Sequence, residues 1–334
     1  MRLLVLSLSY LWLFLATTSA ETDQRAYLLA TATTGGTYYP VGVAISTLVK
    51  LKLEPVTGLS LSAISSAGSG ENLKLLREKQ IHFALLQGLW GAWAWEGSGK
   101  VSNEGPQSHL RSVTTLWQNV EHIGIRTALV ANGTVSDLFN LKGRSFSIGA
   151  RNSGTEGSGR EILSNLGLDP DSHFDLAYLG YNPSADAMRN GTIEGFNLPA
   201  GPPVSAVTQA FSAMGDRLTI LDFTAEEIVL ANRGRKLWTR YTIPPGTYPG
   251  QRTPINTVGQ PNILVVRNDV AEDDVYGVTK AMYENLPFLA AIHKATLEMN
   301  LDSALKGLPL PLHPGAKRYY MEAGLEIPEY LTTR

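Results

Sequence analysis

Residues 27–49, YLLATATTGGTYYPVGVAISTLV, combine the signals of a strand, a glycine-rich loop and a helix in immediate succession. The apolar run 27–31 is typical of a strand, and the loop 34–39 follows it. Pro40 suits the first turn of a helix. The positions that mark the apolar face of this helix are Val41, Ile45, Leu48 and Val49. The segment therefore predicts one strand–loop–helix unit.

The same alternation recurs along the chain. Further strands are predicted at 59–64, 81–86, 144–150, 176–179 and 192–198. Helices are expected around Leu73, at 156–166, and from an N-cap at Asn182, with Pro183 at the first helical position, to Asn190. Strands that alternate with helices predict an α/β fold.

Two extended segments, 122–127 and 257–267, lie far apart in the sequence, and we interpret them as the two crossings of a hinge. The expected organisation is a discontinuous first lobe, made of 26–122 and 259–334, and an inserted second lobe, 123–258. A ligand cleft would then lie between the two lobes.

Composition narrows the possible functions. The chain has 334 residues, of which 43% are hydrophobic and 17% charged, so it can form a large core and is not a disordered chain. Its 28 Lys and Arg and 30 Asp and Glu give a net charge of -2, which speaks against nucleic acid as a partner. Because there is no cysteine, disulfides, thiolate metal sites and cysteine nucleophiles are excluded.

The N-terminus has the parts of a secretory signal peptide. Arg2 precedes an apolar run from Leu3 to Ala16, and small residues end at Ala20. We expect residues 1–20 to be removed after Ala20, leaving an exported chain with no membrane-spanning segment. A membrane anchor is the alternative, although the run is shorter than a spanning helix of about 20 residues.

Four loops share one design, in which small residues with hydroxyl groups or no side chain connect a strand to a helix. They are 34–38, 65–70, 151–155 and 181–184. In open α/β sheets ligands bind beyond the carboxyl ends of the strands, where helix N-termini attract anions. The loops therefore predict a site for an organic anion, and the alternative is that they only cap helices and form turns.

Motifs for other chemistry are incomplete. Residues 154–161 have the glycine spacing of a phosphate loop, but Arg160 and Glu161 replace its Lys and hydroxyl residue, so a tightly packed helix start is favoured. The six histidines stand singly, and no Gly-x-Ser-x-Gly or His-Glu-x-x-His pattern occurs. We expect no metal and no cofactor. The cluster Trp90, Trp93 and Trp95 is interpreted as packing beneath a loop, with ligand stacking as the alternative.

Several runs, in order along the chain, resemble the TAXI family, the TRAP-associated extracytoplasmic solute-binding subunits. They are TTGGTYYP (33–40), ENL (71–73), Gln87, LKG (141–143), SGTE (153–156), AGPP (200–203), IPPGTYPG (243–250), TKA (279–281) and PLHPGA (311–316). The resemblance implies a type II-like periplasmic binding protein of two α/β lobes. It also implies a non-enzymatic, periplasmic protein that delivers glutamate, glutamine or a related carboxylate or 2-oxo acid to TRAP membrane subunits.

The resemblance also implies a set of binding residues. In the first lobe these are Gly36, Thr37, Tyr38, Ser65, Ser69 and Gln87. In the second lobe Ser153, Gly154 and Thr155 would hold a carboxylate at a helix N-terminus, and Asn197 and Gly201 would line the far wall.

Two departures from the family pattern favour an acid other than glutamate, such as one with an apolar end. Gly88-Leu89-Trp90 stands where the family commonly has a polar residue, and Asn197-Leu198-Pro199 stands where it tends to have aromatics. Two other functions remain as alternatives, an exported hydrolase with a Ser-His pair and the ligand-binding subunit of a sensor.

Overall fold

A computed structural model describes residues 25–332 of the chain. The expected signal peptide lies outside the described residues. The strands are β1 (Arg25–Ala30), β2 (Leu59–Ile64), β3 (Phe83–Gln87), β4 (Leu110–Val120), β5 (Ile123–Arg126), β6 (Ser145–Ser147), β7 (Asp175–Ala177), β8 (Gly195–Asn197), β9 (Leu218–Ile220), β10 (Thr239–Ile243) and β11 (Ile255–Arg267).

The helices surround two sheets. They are α1 (Tyr38–Lys52), α2 (Glu54–Thr57), α3 (Ser69–Arg77), α4 (Gly88–Glu96), α5 (Gly154–Asn165), α6 (Pro170–His173), α7 (Tyr181–Asn190), α8 (Ser205–Met214), α9 (Ala225–Asn232), α10 (Glu272–Tyr283), α11 (Leu286–Ile292) and α12 (Pro314–Glu322). None of the helices in residues 25–332 has both the length and the hydropathy to cross a bilayer.

The first sheet has the strand order β10-β11-β3-β1-β2, and β4 also pairs with β11. β1 runs parallel to β2 and β3, whereas β11 is antiparallel to β3, β4 and β10. The predicted face of α1 is buried as expected, since Val41, Ile45, Leu48 and Val49 are all at most 2% exposed. Burial of this apolar stripe is what fixes the helix against the sheet.

The second sheet has the order β7-β6-β8-β5-β9. β6 is parallel to β7 and β8, and β5 is antiparallel to β8 and β9. Its strands are short, and apolar side chains such as Phe146 and Phe196 bury its faces. The two sheets and their helices confirm the predicted α/β class.

The chain passes from the first sheet to the second between β4 and β5, through Glu121 and His122, and returns between β9 and β10. The start of β11 lies beside the first of these passages. The Glu121 backbone N–H donates to the Val258 carbonyl at 2.9 Å, and Thr257 Oγ1 donates to the Glu121 carbonyl at 2.8 Å. β10, which falls in the range predicted for the second lobe, pairs with β11 in the first sheet. The lobe boundaries stay a prediction.

The start of α7 differs from its predicted position. We predicted Asn182 as N-cap and Pro183 at the first helical position, but the N-cap is Gly180 and Pro183 is the third residue of the helix. The prediction was wrong by two residues because proline is tolerated throughout the first turn. The N–H groups of that turn have no intrahelical acceptor, so a proline there costs no hydrogen bond.

Candidate functional site

A buried cavity of about 20 Å³ lies between the two sheets. The residues that line it are Ala32, Gly36, Thr37, Tyr38, Ala67, Gly68, Ser69, Gln87, Asn119, Gly154, Thr155, Tyr181, Pro199 and Ala200. Three helices, α1, α3 and α5, begin at this cavity. Each contributes backbone N–H groups that have no partner within the helix and carries partial positive charge at its start.

At the start of α1, two side chains reach across the cavity region. Thr37 is the N-cap residue, but its Oγ1 makes no cap and donates instead to the Gly201 carbonyl oxygen at 2.8 Å. The Tyr38 hydroxyl donates to Asn262 Oδ1. Burial raises the pKa of Tyr38 well above its usual value, so its hydroxyl stays protonated.

The loop before α3 packs against the loop before α5. Gly68 has a φ of 123°, a conformation that favours glycine, and a Cβ at this position would lie 3.3 Å from the Gly154 nitrogen. The Glu71 N–H donates to the Asn152 carbonyl at 3.0 Å. Ser69 Oγ accepts from the Gln87 N–H at 3.1 Å, which ties α3 to the end of β3. These contacts close one side of the cavity.

The start of α5 forms the opposite wall. Ser153 caps the helix, since its Oγ accepts from the Glu156 N–H at 3.0 Å. Thr155 Oγ1 lies 3.2 Å from the Tyr181 hydroxyl, which in turn bonds to the Pro199 carbonyl oxygen. Burial raises the pKa of Tyr181, so its hydroxyl also stays protonated. The start of α5 therefore carries a chain of neutral hydroxyl groups from Thr155 to Tyr181.

The glycines of the 154–161 segment serve close packing, as predicted. A Cβ on Gly154 would lie 2.8 Å from Gln87 and Ser69 atoms, and one on Gly157 would lie 2.6 Å from the Trp90 indole nitrogen. Arg160, at the position of the phosphate-loop lysine, forms a salt bridge with Asp171, with 2.8 Å between Nη1 and Oδ2. The helix can thus approach α3 and α4 closely only because side chains are missing there.

The tryptophan cluster lies on α4. Trp90 and Trp93 are buried and form an edge-to-face pair with ring centroids 5.3 Å apart. Trp90 packs against Gly70 and Gly157, and it is not among the residues that line the cavity. This arrangement agrees with the predicted packing role.

The cavity brings together seven of the residues predicted for the site, namely Gly36, Thr37, Tyr38, Ser69, Gln87, Gly154 and Thr155. Four others lie outside its lining. Ser65 is exposed, and the Ser153 hydroxyl is used as a helix cap. Asn197 donates to Glu121 at 2.9 Å in a separate buried contact. Gly201 receives the Thr37 hydrogen bond rather than lining the cavity.

Sequence reasoning missed Asn119 and Tyr181 as lining residues. Asn119 sits near the end of β4, and only its polarity within a buried strand could have marked it. Tyr181 falls in the range 181–184, which was predicted to be a loop at the cleft, but it is the first residue of α7 and the side chain itself carried no signal.

A buried acid and a buried histidine lie at the connection between the sheets. Burial raises the pKa of Glu121 to about 7, partly offset by the hydrogen bond from Asn197. Burial lowers the pKa of His122 to about 4, and its Nε2 is 2.7 Å from the Tyr248 hydroxyl. Both groups are therefore held close to their neutral forms near pH 6.

An open groove of about 420 Å³ adjoins the cavity region. Its cationic side chains include Lys74, Lys100 and Arg151. Arg151 is exposed, and its guanidinium stacks 3.6 Å above the Tyr178 ring. This Arg therefore lies at the outer groove and not in the cavity.

Metal ligands do not gather anywhere in residues 25–332: no group of three His, Asp or Glu side chains is placed to hold an ion. His122 is occupied by Tyr248, and His313 caps α12 through the Gly315 N–H. Neither residue lines the cavity.

Two α/β sheets between which the chain crosses twice, with a cavity between them lined by hydroxyl, amide and small apolar residues, define the fold of the two-lobed periplasmic binding proteins. The sequence matches the NMT1-like family over residues 29–324, and the chain belongs to that family.

Solved structures show the same fold at low sequence identity. One is the binding protein component of an ABC phosphonate transporter from Pseudomonas aeruginosa, with a TM-score of 0.51 and 11% identity, covering 82% of this chain and 79% of that chain. Another is PhnD1 from Prochlorococcus marinus in complex with methylphosphonate, with a TM-score of 0.50 and 13% identity, covering 81% and 89%.

Proposed function

We propose that this protein is the extracytoplasmic solute-binding subunit of a TRAP-type importer of the TAXI family, and that it captures a small organic anion between its lobes. The observation that carries the proposal is the convergence of the α1, α3 and α5 N-termini on one buried cavity between the two sheets. The protein would act by binding and release, without chemical turnover.

The charge preference of the cavity follows from its lining. No Asp, Glu, Lys, Arg or His is among the lining residues of the described chain. The N–H groups at three helix starts favour negative charge, and the hydroxyl groups of Ser69 and Thr155 add donors. A carboxylate or another oxyanion is the ligand group that these donors suit best.

Binding would require the cleft to open and close. The cavity of about 20 Å³ has room for about one water molecule, which is less than an organic acid occupies. Contacts between the two halves include Thr37 with Gly201 and the Ala206 N–H with the Gly35 carbonyl at 3.1 Å. We propose that these contacts break in the open form and that the neighbouring segments at Glu121 and Thr257 act as the hinge.

The family relationships support the transport role. The chain belongs to the NMT1-like family, one structure with its fold is the binding protein component of a phosphonate transporter, and another, PhnD1, is in complex with methylphosphonate. The resemblance of runs such as TTGGTYYP to TAXI proteins favours TRAP membrane subunits as the partner and the periplasm as the location.

A thermal-shift screen of the mature chain tests the proposal. The protein is unfolded and refolded to remove carried-over ligand, then screened with carboxylates, 2-oxo acids, amino acids and phosphonates. A ligand at about 100 times its Kd should stabilise the fold by roughly 2.7 kcal/mol. A folded protein that responds to none of these anions, or one that turns over ester or amide substrates, would contradict the proposal.

A further inference from the structure

We propose that Gln87, Asn119, Gln260 and Asn262 form a second subsite of the cavity, which selects a monoanion with a neutral polar tail and excludes α-amino acids and dicarboxylates. We call these four residues the amide cluster. The inference rests on the proposed function, because it assigns the part of the ligand that points away from the helix N-termini.

The register of the first sheet places the four amides together. Asn262 pairs with Gln87 across β11 and β3, and Gln260 pairs with Asn119 across β11 and β4. Residues directly opposite in an antiparallel pair project from the same face, and so do residues two apart in one strand. Gln87 and Asn119 line the cavity, and Gln260 and Asn262 share their face of the sheet just outside the lining.

Each amide of the cluster has hydrogen-bonding capacity left over. Gln260 Oε1 accepts from the Leu89 N–H at 2.9 Å, and Asn262 Oδ1 accepts from the Tyr38 hydroxyl. The atoms without a protein partner are Gln87 Oε1, Asn119 Nδ2, Gln260 Nε2 and Asn262 Nδ2. All four side chains are at most 3% exposed. Buried amides of this kind are stabilised by a ligand that both donates and accepts hydrogen bonds.

The absence of charged side chains from the lining favours a ligand with a single charge. An ammonium group would have no carboxylate of the lining to pair with, and a second carboxylate would have no Lys or Arg. An unpaired buried charge is strongly unfavourable. Glu121 lies outside the lining, where its carboxylate accepts from Asn197. Hydroxyl, carbonyl or carboxamide groups meet the amides without this cost.

The amide cluster also changes the expectation of an apolar ligand end. That expectation came from Gly88-Leu89-Trp90 and Asn197-Leu198-Pro199; Trp90 packs against Gly70 and Gly157 away from the cavity lining, whereas Pro199 lines it. The side chains of Gln87 and Asn119 instead present polar groups to the cavity. We therefore assign a hydroxy acid, oxo acid or amide-bearing monocarboxylate as the ligand class.

Matched ligand pairs test the inference by calorimetry on the refolded mature chain. Glycerate is compared with serine, and 2-hydroxyglutaramate with glutamine, so that only the ammonium group differs. Lactate tests the need for a polar tail, and 2-hydroxyglutarate tests a second charge. We expect at least one hydroxy acid to bind 10-fold or more tightly than its amino acid, and lactate and 2-hydroxyglutarate to bind more weakly than that hydroxy acid.

Different results would overturn the ligand-class inference and the proposed solute-binding function. Tighter binding of serine, glutamine or glutamate, or binding confined to anions other than hydroxy acids, oxo acids and amide-bearing monocarboxylates, would overturn the inference and leave the solute-binding function standing. A folded protein that binds no small anion in the wider screen would overturn both.

A change in the amide cluster provides a gain-of-function test. Asn119→Asp keeps the shape of the side chain and supplies a carboxylate at the cavity lining, so the ratio of amino acid to hydroxy acid affinity should rise at least 10-fold. Asn262→Asp is the second variant, since Tyr38 can still donate to an aspartate oxygen. Asn190→Asp, at an exposed site, is the control. An unchanged ratio in folded variants would overturn the inference.

Discussion

Thr37 Oγ1 donates a hydrogen bond to the Gly201 carbonyl oxygen at 2.8 Å, which joins the start of α1 to the segment that follows β8. Both residues were predicted to contact ligand, yet here they contact each other. The bond is buried and links the two halves of the molecule. It is therefore a candidate latch that favours the closed cleft.

Removing this latch should favour the open form. Thr37→Val keeps the side-chain shape but leaves the Gly201 carbonyl without its donor, at a cost of about 1 kcal/mol. We expect a larger radius of gyration by small-angle X-ray scattering and severalfold weaker ligand binding. Thr47→Val, on an exposed face of the same helix, is the control. Equal scattering curves for both variants would refute the latch.

Thr155 is expected to contribute directly to anion binding. Its side chain is 4% exposed, and Oγ1 lies at the start of α5 beside the Tyr181 hydroxyl. Thr155→Ala should weaken binding of the anion by roughly 1 to 3 kcal/mol, the usual value for a buried donor to a charged group. Thr155→Ser retains the hydroxyl and should recover most of the affinity. Calorimetric titration measures both, and unchanged affinity in the alanine variant would remove Thr155 from the site.

Gly157 should resist substitution because Trp90 fills the space beside it. In Gly157→Ala the new Cβ would lie 2.6 Å from the indole nitrogen, and such overpacking costs about 1 to 3 kcal/mol of unfolding free energy. Gly277→Ala is a matched control, since its Cβ would meet only Leu53 atoms at 3.5 Å in the helix α10. That control should gain about 0.5 to 1 kcal/mol. Equal stabilities in urea unfolding would contradict the packing account.

The buried Glu121 should make stability depend on pH. Its pKa is raised from 4.5 to about 7 in the folded protein, so the folded state binds more protons between these values. Its contribution to stability therefore falls as pH rises through that window, by at most about 1.4 kcal/mol per pH unit. His122, with its pKa lowered from 6.5 to about 4, contributes in the opposite direction, with stability that rises between those values.

The variant Glu121→Gln separates the contribution of Glu121 to the pH dependence of stability from that of His122. In Glu121→Gln the His122 contribution remains, so the difference in unfolding free energy between variant and wild type should move in favour of the variant from pH 5 to pH 8. Urea unfolding at each pH measures this difference. Glu326→Gln, at an exposed carboxyl, should show no comparable trend. A pH-independent difference for Glu121→Gln would show that its carboxyl is not perturbed by burial.

The local units of the fold were predictable because each carries its own signals. The strand at 59–64 has the predicted bounds, and the α1 face of Val41 and Ile45 is buried, since apolar periodicity is decided within one segment. The start of α7 was misplaced because Pro183 fits several positions of a first turn. Such signals mark an element more reliably than its ends.

The residues of the site could be predicted only where they lie in a loop or helix start with a recognisable sequence motif. Thr155 and Ser69 lie at helix starts, and their motifs identify them. Asn119 meets Gln260 through a pairing between strands that are far apart in sequence, and Asn197 meets Glu121 across 76 residues. Ser65 is exposed. This could not be predicted, because the sequence around a small polar loop residue does not indicate whether its side chain faces the cavity or the solvent. These outcomes depend on tertiary packing.

A crystal structure of the refolded protein with the best ligand from the screen tests the central claim most directly. The account predicts ligand density in the cavity between the sheets, with the anionic group within hydrogen-bonding distance of the first N–H groups of α5 and of Thr155 Oγ1. Density in the outer groove beside Lys74, Lys100 and Arg151, with the cavity unchanged, would contradict it.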